Sequence, residues 1–293
     1  MSAGAPFGRG FWRSLLAMLL AGGWACAQAE PKSSAASLFT LESLGGAAHV
    51  LKAADYNTNI GLIQTPAGVI LIDPSPKREN LASLQQLVQQ RFSPAAVYIL
   101  NTHNHEDHTG GNEFFVAQGA GLLTPPLALE TVRSLTLRSH SATDHVYFDP
   151  AGHWMFVGDL YDGSWHPTFY AGGVAGFTEA MLAILALGDE RTWIIPGHGK
   201  PVLKPTLRVY LLDTLRWVAR VRLLRLQGLS AQQMKQDAEL LGLLQRFNTE
   251  GRAGFLPDAA LQRFIERTLA VIERDRALGS PAYPPLPAKA PAP

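Results

Sequence analysis

The chain is nearly devoid of cysteine, with one, Cys26, among 293 residues. A lone thiol makes no internal disulfide, so a disulfide-stapled scaffold is excluded. Thiolate zinc clusters are excluded too, and any metal centre has to be built from imidazole and carboxylate. An excess of one charge sign is also missing. The 25 basic and 24 acidic residues leave a net charge of +1, which provides no basic face for nucleic acid. The apolar run Ser14 to Ala25 is too short to span a bilayer as a mature helix. It follows Arg9 and Arg13 and precedes Ala27-Gln28-Ala29, small residues of the kind found at a signal-peptidase site. Residues 1–29 are therefore expected to be a cleavable export signal. The mature chain would start at Glu30, in the periplasm or outside the cell, without stable membrane insertion. A retained membrane anchor is the alternative. Gly23-Trp24-Ala25 ahead of Cys26 is a poor lipidation signal. Cleavage after Ala29 would leave no cysteine at all.

The length suits one large domain or two small ones. Strand signals occur at His49-Val50-Leu51, Ile60 to Ile63 and Val69 to Ile72. Thr65-Pro66-Ala67-Gly68 joins the last two as a hairpin turn. Leu81, Leu84, Leu87 and Val88 fall at helical spacing and predict a helix over 79–91. A strand over 96–100 comes next. Further strands are expected over 131–137, 146–148, 154–157 and 193–195, with helices over 176–187, 205–227 and 257–276. Arg216, Arg220 and Arg222 read as the solvated face of the first C-terminal helix. Residues 30–40 read as a Ser/Ala-rich leader, and the Pro/Ala-rich stretch 279–293 as a disordered tail. The resulting division is a domain over 40–204, a helical extension over 205–278 and the tail.

The informative segment is His103-Asn104-His105-Glu106-Asp107-His108, at the C-terminal end of the 96–100 strand. Three imidazoles and a carboxylate crowded into six residues suit Zn²⁺ and related ions. Three later residues also stand where strands end: His140, Asp159 and His198. Strand ends that project into one cleft are a common way to assemble a site from distant sequence. Asp73 ends its own strand and is either a residue that orients a ligand by hydrogen bond or a plain turn residue. His166 and Tyr161, just after Asp159, are either cleft-lining or ordinary loop residues. His49 and His153 read as surface or turn positions.

Asp73 after its apolar strand, Thr102 to Asn112, Gly158-Asp159 and Pro196-Gly197-His198-Gly199, in that order, resemble the metallo-β-lactamase fold superfamily. The resemblance spans roughly residues 45–205. It implies an α/β four-layer αββα sandwich with C-terminal helices. The short run between Asn112 and His140 would shorten the second sheet or open the cleft. The resemblance also implies a ligand set. His103, His105 and His140 would hold one metal, Asp107, His108 and His198 a second, and Asp159 would bridge them. His145 is a rival to His140, because Ser141 and Ala142 depart from the usual residues after that histidine. Two Zn²⁺ per chain are implied, with Fe or Mn as alternatives. Two ions about 3.5–4 Å apart share a hydroxide that is nucleophilic at neutral pH.

The expected function is an exported zinc-dependent hydrolase acting on an ester, thioester, lactone or similar bond of a small-molecule substrate, with Asp107 catalytic. A bridging Asp159 points away from lactam hydrolysis. β-Lactamase activity, diiron sulfur or oxygen redox chemistry, and a catalytically degenerate metal-binding protein remain alternatives.

Overall fold

A computed structural model describes residues 38–279 apart from Asp55 and Glu130. The expected signal over 1–29, Cys26 and most of the expected tail lie outside the described residues.

Two six-stranded sheets form the centre. The first is ordered β1 (Phe39–Gly45), β2 (Ala48–Ala53), β3 (Asn59–Thr65), β4 (Gly68–Ile72), β5 (Val97–Leu100) and β6 (Gly121–Leu122). β1 to β4 run as an antiparallel meander, while β5 and β6 join in parallel. The second contains β7 (Ala128–Leu129), β8 (Val132–Leu137), β9 (Asp144–Asp149), β10 (Trp154–Gly158), β11 (Trp193–Pro196) and β12 (Val202–Leu203), with one parallel pair, β10 and β11.

Period-two side-chain alternation explains the layering. In β4, Val69 and Leu71 face one way, into a core shared with Leu81, Leu84 and Leu87 of α1 (Leu81–Phe92). Ile70 and Ile72 face the other way, into a core between the sheets that includes Tyr147, Trp154 and Phe156. In β10, Trp154 and Phe156 point into that middle core. Met155 and Val157 point outward to a third core, built with Phe177 and Met181 of α4 (Gly173–Ala186) and with the C-terminal helices. Helix, sheet, sheet, helix is the expected four-layer sandwich.

The second sheet is not shortened in strand number, since both sheets have six. The short segment after Asn112 still supplies α3 (Asn112–Ala117), β6, β7 and β8. The expected leader also needs correcting at its end, because β1 starts at Phe39 and pairs with β2. Four of its seven residues are exposed, so it carries little apolar periodicity for a sequence reading to catch.

The outer helical layer comprises α5 (Lys204–Leu226), α6 (Ala231–Met234), α7 (Ala238–Phe247) and α8 (Asp258–Ala277). It shares one continuous core with the second sheet. Trp217 stacks on Phe264 at 4.2 Å, and His166 stacks on Phe264 at 4.0 Å. His166 is therefore a core residue and not part of a cleft wall, and its Nδ1 donates to the Pro167 carbonyl. Tyr161 is likewise buried, edge-on to Tyr210. His49 is half-buried against Phe92, and His153 sits in a turn, paired with Asp189. Arg216 and Arg220 pair with Asp213 and Asp237. No helix among the described residues is long and apolar enough to cross a membrane.

Candidate metal centre

The motif loop leaves β5 and turns at once into α2 (Glu106–Thr109), a single helical turn. The His105 carbonyl accepts from the backbone N–H groups of His108 and Thr109 and from the Thr109 hydroxyl. Asn101 and Asn112 clamp the ends of the loop to each other, and the Asn101 amide also donates to the His108 carbonyl. Asp107 and His108 are thereby turned toward the space between the sheets.

Asp73 works from beneath. Its φ of 52° is unusual for a non-glycine residue, a conformation that aspartate tolerates better than most. Its carboxylate accepts from the Thr102 N–H at 2.8 Å, from the Thr102 hydroxyl at 2.7 Å and from His108 Nδ1 at 2.9 Å. A carboxylate only accepts, so His108 carries a proton on Nδ1 and turns Nε2 into the centre. The Thr102 hydroxyl has spent its proton on Asp73. His103 Nδ1, 3.2 Å from that hydroxyl, must therefore donate to it, which also leaves His103 Nε2 facing inward.

The other three side chains come from the second sheet. His140 lies in a turn organised by the buried Asp144 carboxylate, which accepts from the N–H groups of Ser139 and Ser141 and from the Ser141 hydroxyl. Its Nδ1 contacts the Thr168 hydroxyl at 2.6 Å. Asp159 follows Gly158, whose φ of 53° and close approach to the Thr102 side chain leave no room for a Cβ. His198 is carried by the turn after β11, where the Asn59 side chain donates to the carbonyls of Pro196 and Gly199. A Cβ on Gly197 would run into Asp159 Oδ1 and His108.

All seven expected residues converge. His103 Nε2 and His140 Nε2 lie 2.9 and 3.0 Å from His105 Nδ1. Asp107 Oδ2 lies 3.0 Å from His198 Nε2 and 3.7 Å from His108 Nε2. Asp159 stands between the two groups, 3.4 Å from His108, 3.6 Å from His140 and 3.6 Å from His198. The residues fall into three overlapping sets of potential ligands: His103, His105 and His140; His103, His108 and Asp159; Asp107, His108 and His198. His145 joins none of them. It lies nearby, its backbone N–H on the Thr102 carbonyl and its ring on the Thr136 hydroxyl. Asp144, Thr168 and Asn59 were not legible as parts of the site. Ser141 and Asp144, three apart beside His140, were the one available signal; Thr168 had none.

The electrostatics suit a cation. Burial and the neighbouring His108 hold the His103 imidazole down to about 2, and burial also lowers His140, so both are neutral. At His108 burial opposes charge, but Asp73 and Asp159 outweigh it and push the ring up to about 11. At His198 burial is likewise overcome, by Asp107 and Asp159, and the ring rises to about 9. The hydrogen bond from His198 brings Asp107 down to about 2 against the opposing effect of burial. Asp159 is held below the usual carboxylate range by His108 and His198 despite its burial. Three buried atoms, His108 Nε2, Asp159 Oδ1 and His198 Nδ1, have no hydrogen-bond partner. Leaving such atoms unpaired is costly. Cations among these donors would satisfy the first two and displace the protons that now supply the positive charge. The residues therefore fit bound metal.

A four-layer sandwich with this donor set defines a class of architecture, and the chain has the metallo-β-lactamase fold. The family model of the metallo-beta-lactamase superfamily matches residues 53–120. A hydroxyacylglutathione hydrolase from Nitrosococcus oceani is 30% identical over 153 residues, covering 44% of this chain. The match spans 56% of that relative's length. Among solved structures, the inverting sec-alkylsulfatase Pisa1 from Pseudomonas sp. superposes with a TM-score of 0.61 at 16% identity, over 83% of this chain and 50% of its own. TMB-1 superposes at 0.50 and 14% identity, over 59% of this chain and 95% of its own.

Proposed function

We propose that this chain is an exported, binuclear zinc hydrolase that opens an ester, thioester, lactone or similar bond in a small-molecule substrate. The observation that carries the reading is Asp159, a buried carboxylate in reach of both histidine groups. His103, His105 and His140 would hold one ion, Asp107, His108 and His198 the other, and Asp159 both. Two divalent ions held there would lower the pKa of bound water and polarise the scissile group. Asp73 keeps the inward nitrogens of His103 and His108 free of protons once the centre is loaded. Asp107, about two-fifths exposed and held ionised by His198, would be the catalytic carboxylate of the set. The 30% identical hydroxyacylglutathione hydrolase supports a hydrolase over lactam chemistry. Export rests on the sequence of residues 1–29.

The test is metal analysis of the mature protein followed by an ester, thioester and lactone panel. Two zinc ions per chain with turnover of at least one class are expected. Full zinc loading without turnover, or stoichiometric iron with oxygen consumption, would overturn the proposal.

A further inference from the structure

The His198 turn is gripped by a short loop that offers no atom to the metal sets, Asp162-Gly163-Ser164. The Gly163 N–H donates to the His198 carbonyl at 3.0 Å, and Gly199 packs directly on the Gly163 backbone. This loop is fastened from three directions. Inside it, the buried Asp162 carboxylate accepts from the Ser164 N–H at 2.7 Å and from its hydroxyl at 3.0 Å. From the first sheet's side, the Asn57 amide donates to the Ser164 hydroxyl at 2.8 Å. From the outer helical layer, the Thr249 hydroxyl, in the link between α7 and α8, donates to the Gly163 carbonyl at 2.7 Å. Gly163, which braces His198, is thus itself held from the link between two C-terminal helices.

Resting on the two-metal reading above, we infer that Asp162 and Thr249 are positioning residues for His198, and that the C-terminal helical layer thereby sets the hold on the second metal alone. His103 has its own support in Thr102 and His140 in Asp144 and Thr168, and His105 stands on the motif loop, so the first metal does not depend on this brace.

The experiment titrates the full mature chain with zinc against a competing chelator and counts bound ions by native mass spectrometry. His198→Ala identifies which equivalent belongs to His198. Thr249→Val, which keeps the side-chain shape, and Asp162→Ala should weaken that equivalent by about 10–100-fold, as loss of an outer support typically does. The other equivalent should stay unchanged. Thr249→Ser should restore parental binding, and the melting temperature of Thr249→Val should stay close to the parent's. Equal weakening of both equivalents, or no weakening in Thr249→Val, overturns the inference while leaving a two-metal hydrolase standing. A parent chain that binds no second zinc overturns both.

Discussion

His103, His105, Asp107 and His108 arrive together on one loop, whereas His140, Asp159 and His198 arrive singly from three places in the other sheet. The loop half is supported largely by its sequence neighbours, Asn101, Thr109 and Asn112, with Asp73 beneath. The other half needs a separate support for each side chain: Asp144 for His140, the glycine contacts at 158 and 197 for Asp159, and Asn59 with the 162–164 loop for His198. Local chain chemistry suffices to present several potential ligands at once. A potential ligand brought from afar needs support from parts of the fold that are not its neighbours in sequence.

The contrast can be broken or sharpened experimentally. The largest effect is expected at Asp107, in the loop half. Asp107→Ala should lower kcat by about 10²–10⁴-fold with an unchanged melting curve; a loss below tenfold in zinc-loaded protein would remove Asp107 from the chemistry. Next come the supports, each worth about 10–100-fold in metal affinity. Asp73→Ala should weaken both zinc equivalents, because Asp73 serves His103 and His108. Asp144→Ala should weaken only the one that includes His140. If competition titrations show equal effects from both variants, the two halves are not independently built.

A smaller effect separates the helical layer from the site. Burial holds His166 down to about 4, so the native state resists a proton that the unfolded chain accepts near its ordinary value. Stability from this group is full above about pH 6.5, falls as the pH drops toward about 4, and is flat below, at most about 3 kcal/mol in all. His166→Phe keeps the stacking on Phe264 and should flatten that slope in denaturant unfolding at pH 7, 5 and 4. An unchanged slope would assign the acid sensitivity elsewhere. The smallest expected effect is at His145, where substitution by alanine should leave both zinc equivalents bound as in the parent; loss of one would return His145 to the ligand set in place of His140.

Much of this was legible in the residues. The β2–β5 and β8–β11 strands carry enough apolar alternation, and α1, α4, α5 and α8 enough helical spacing, to be recognised alone. The two-residue strands β6, β7 and β12 carry no such signal, because they exist only as pairings with a neighbour. His166 and Tyr161 misled for a related reason. Proximity to Asp159 in sequence suggested the cleft, but the chain turns inward there and stacks His166 between core elements.

The sequence by itself determined which groups could hold a metal, because imidazole and carboxylate were the only donors left in a chain with one cysteine. It also determined the layer order, because alternation along each strand sorts side chains between the cores on its two faces. Only the tertiary structure decided that His140 and not His145 meets the motif loop, that Asp159 reaches both groups, and that Thr168, Asn59 and Thr249 serve the site. Those choices turn on separations of a few ångströms between residues 28 to 140 positions apart, and spacing along a chain carries no distance across it.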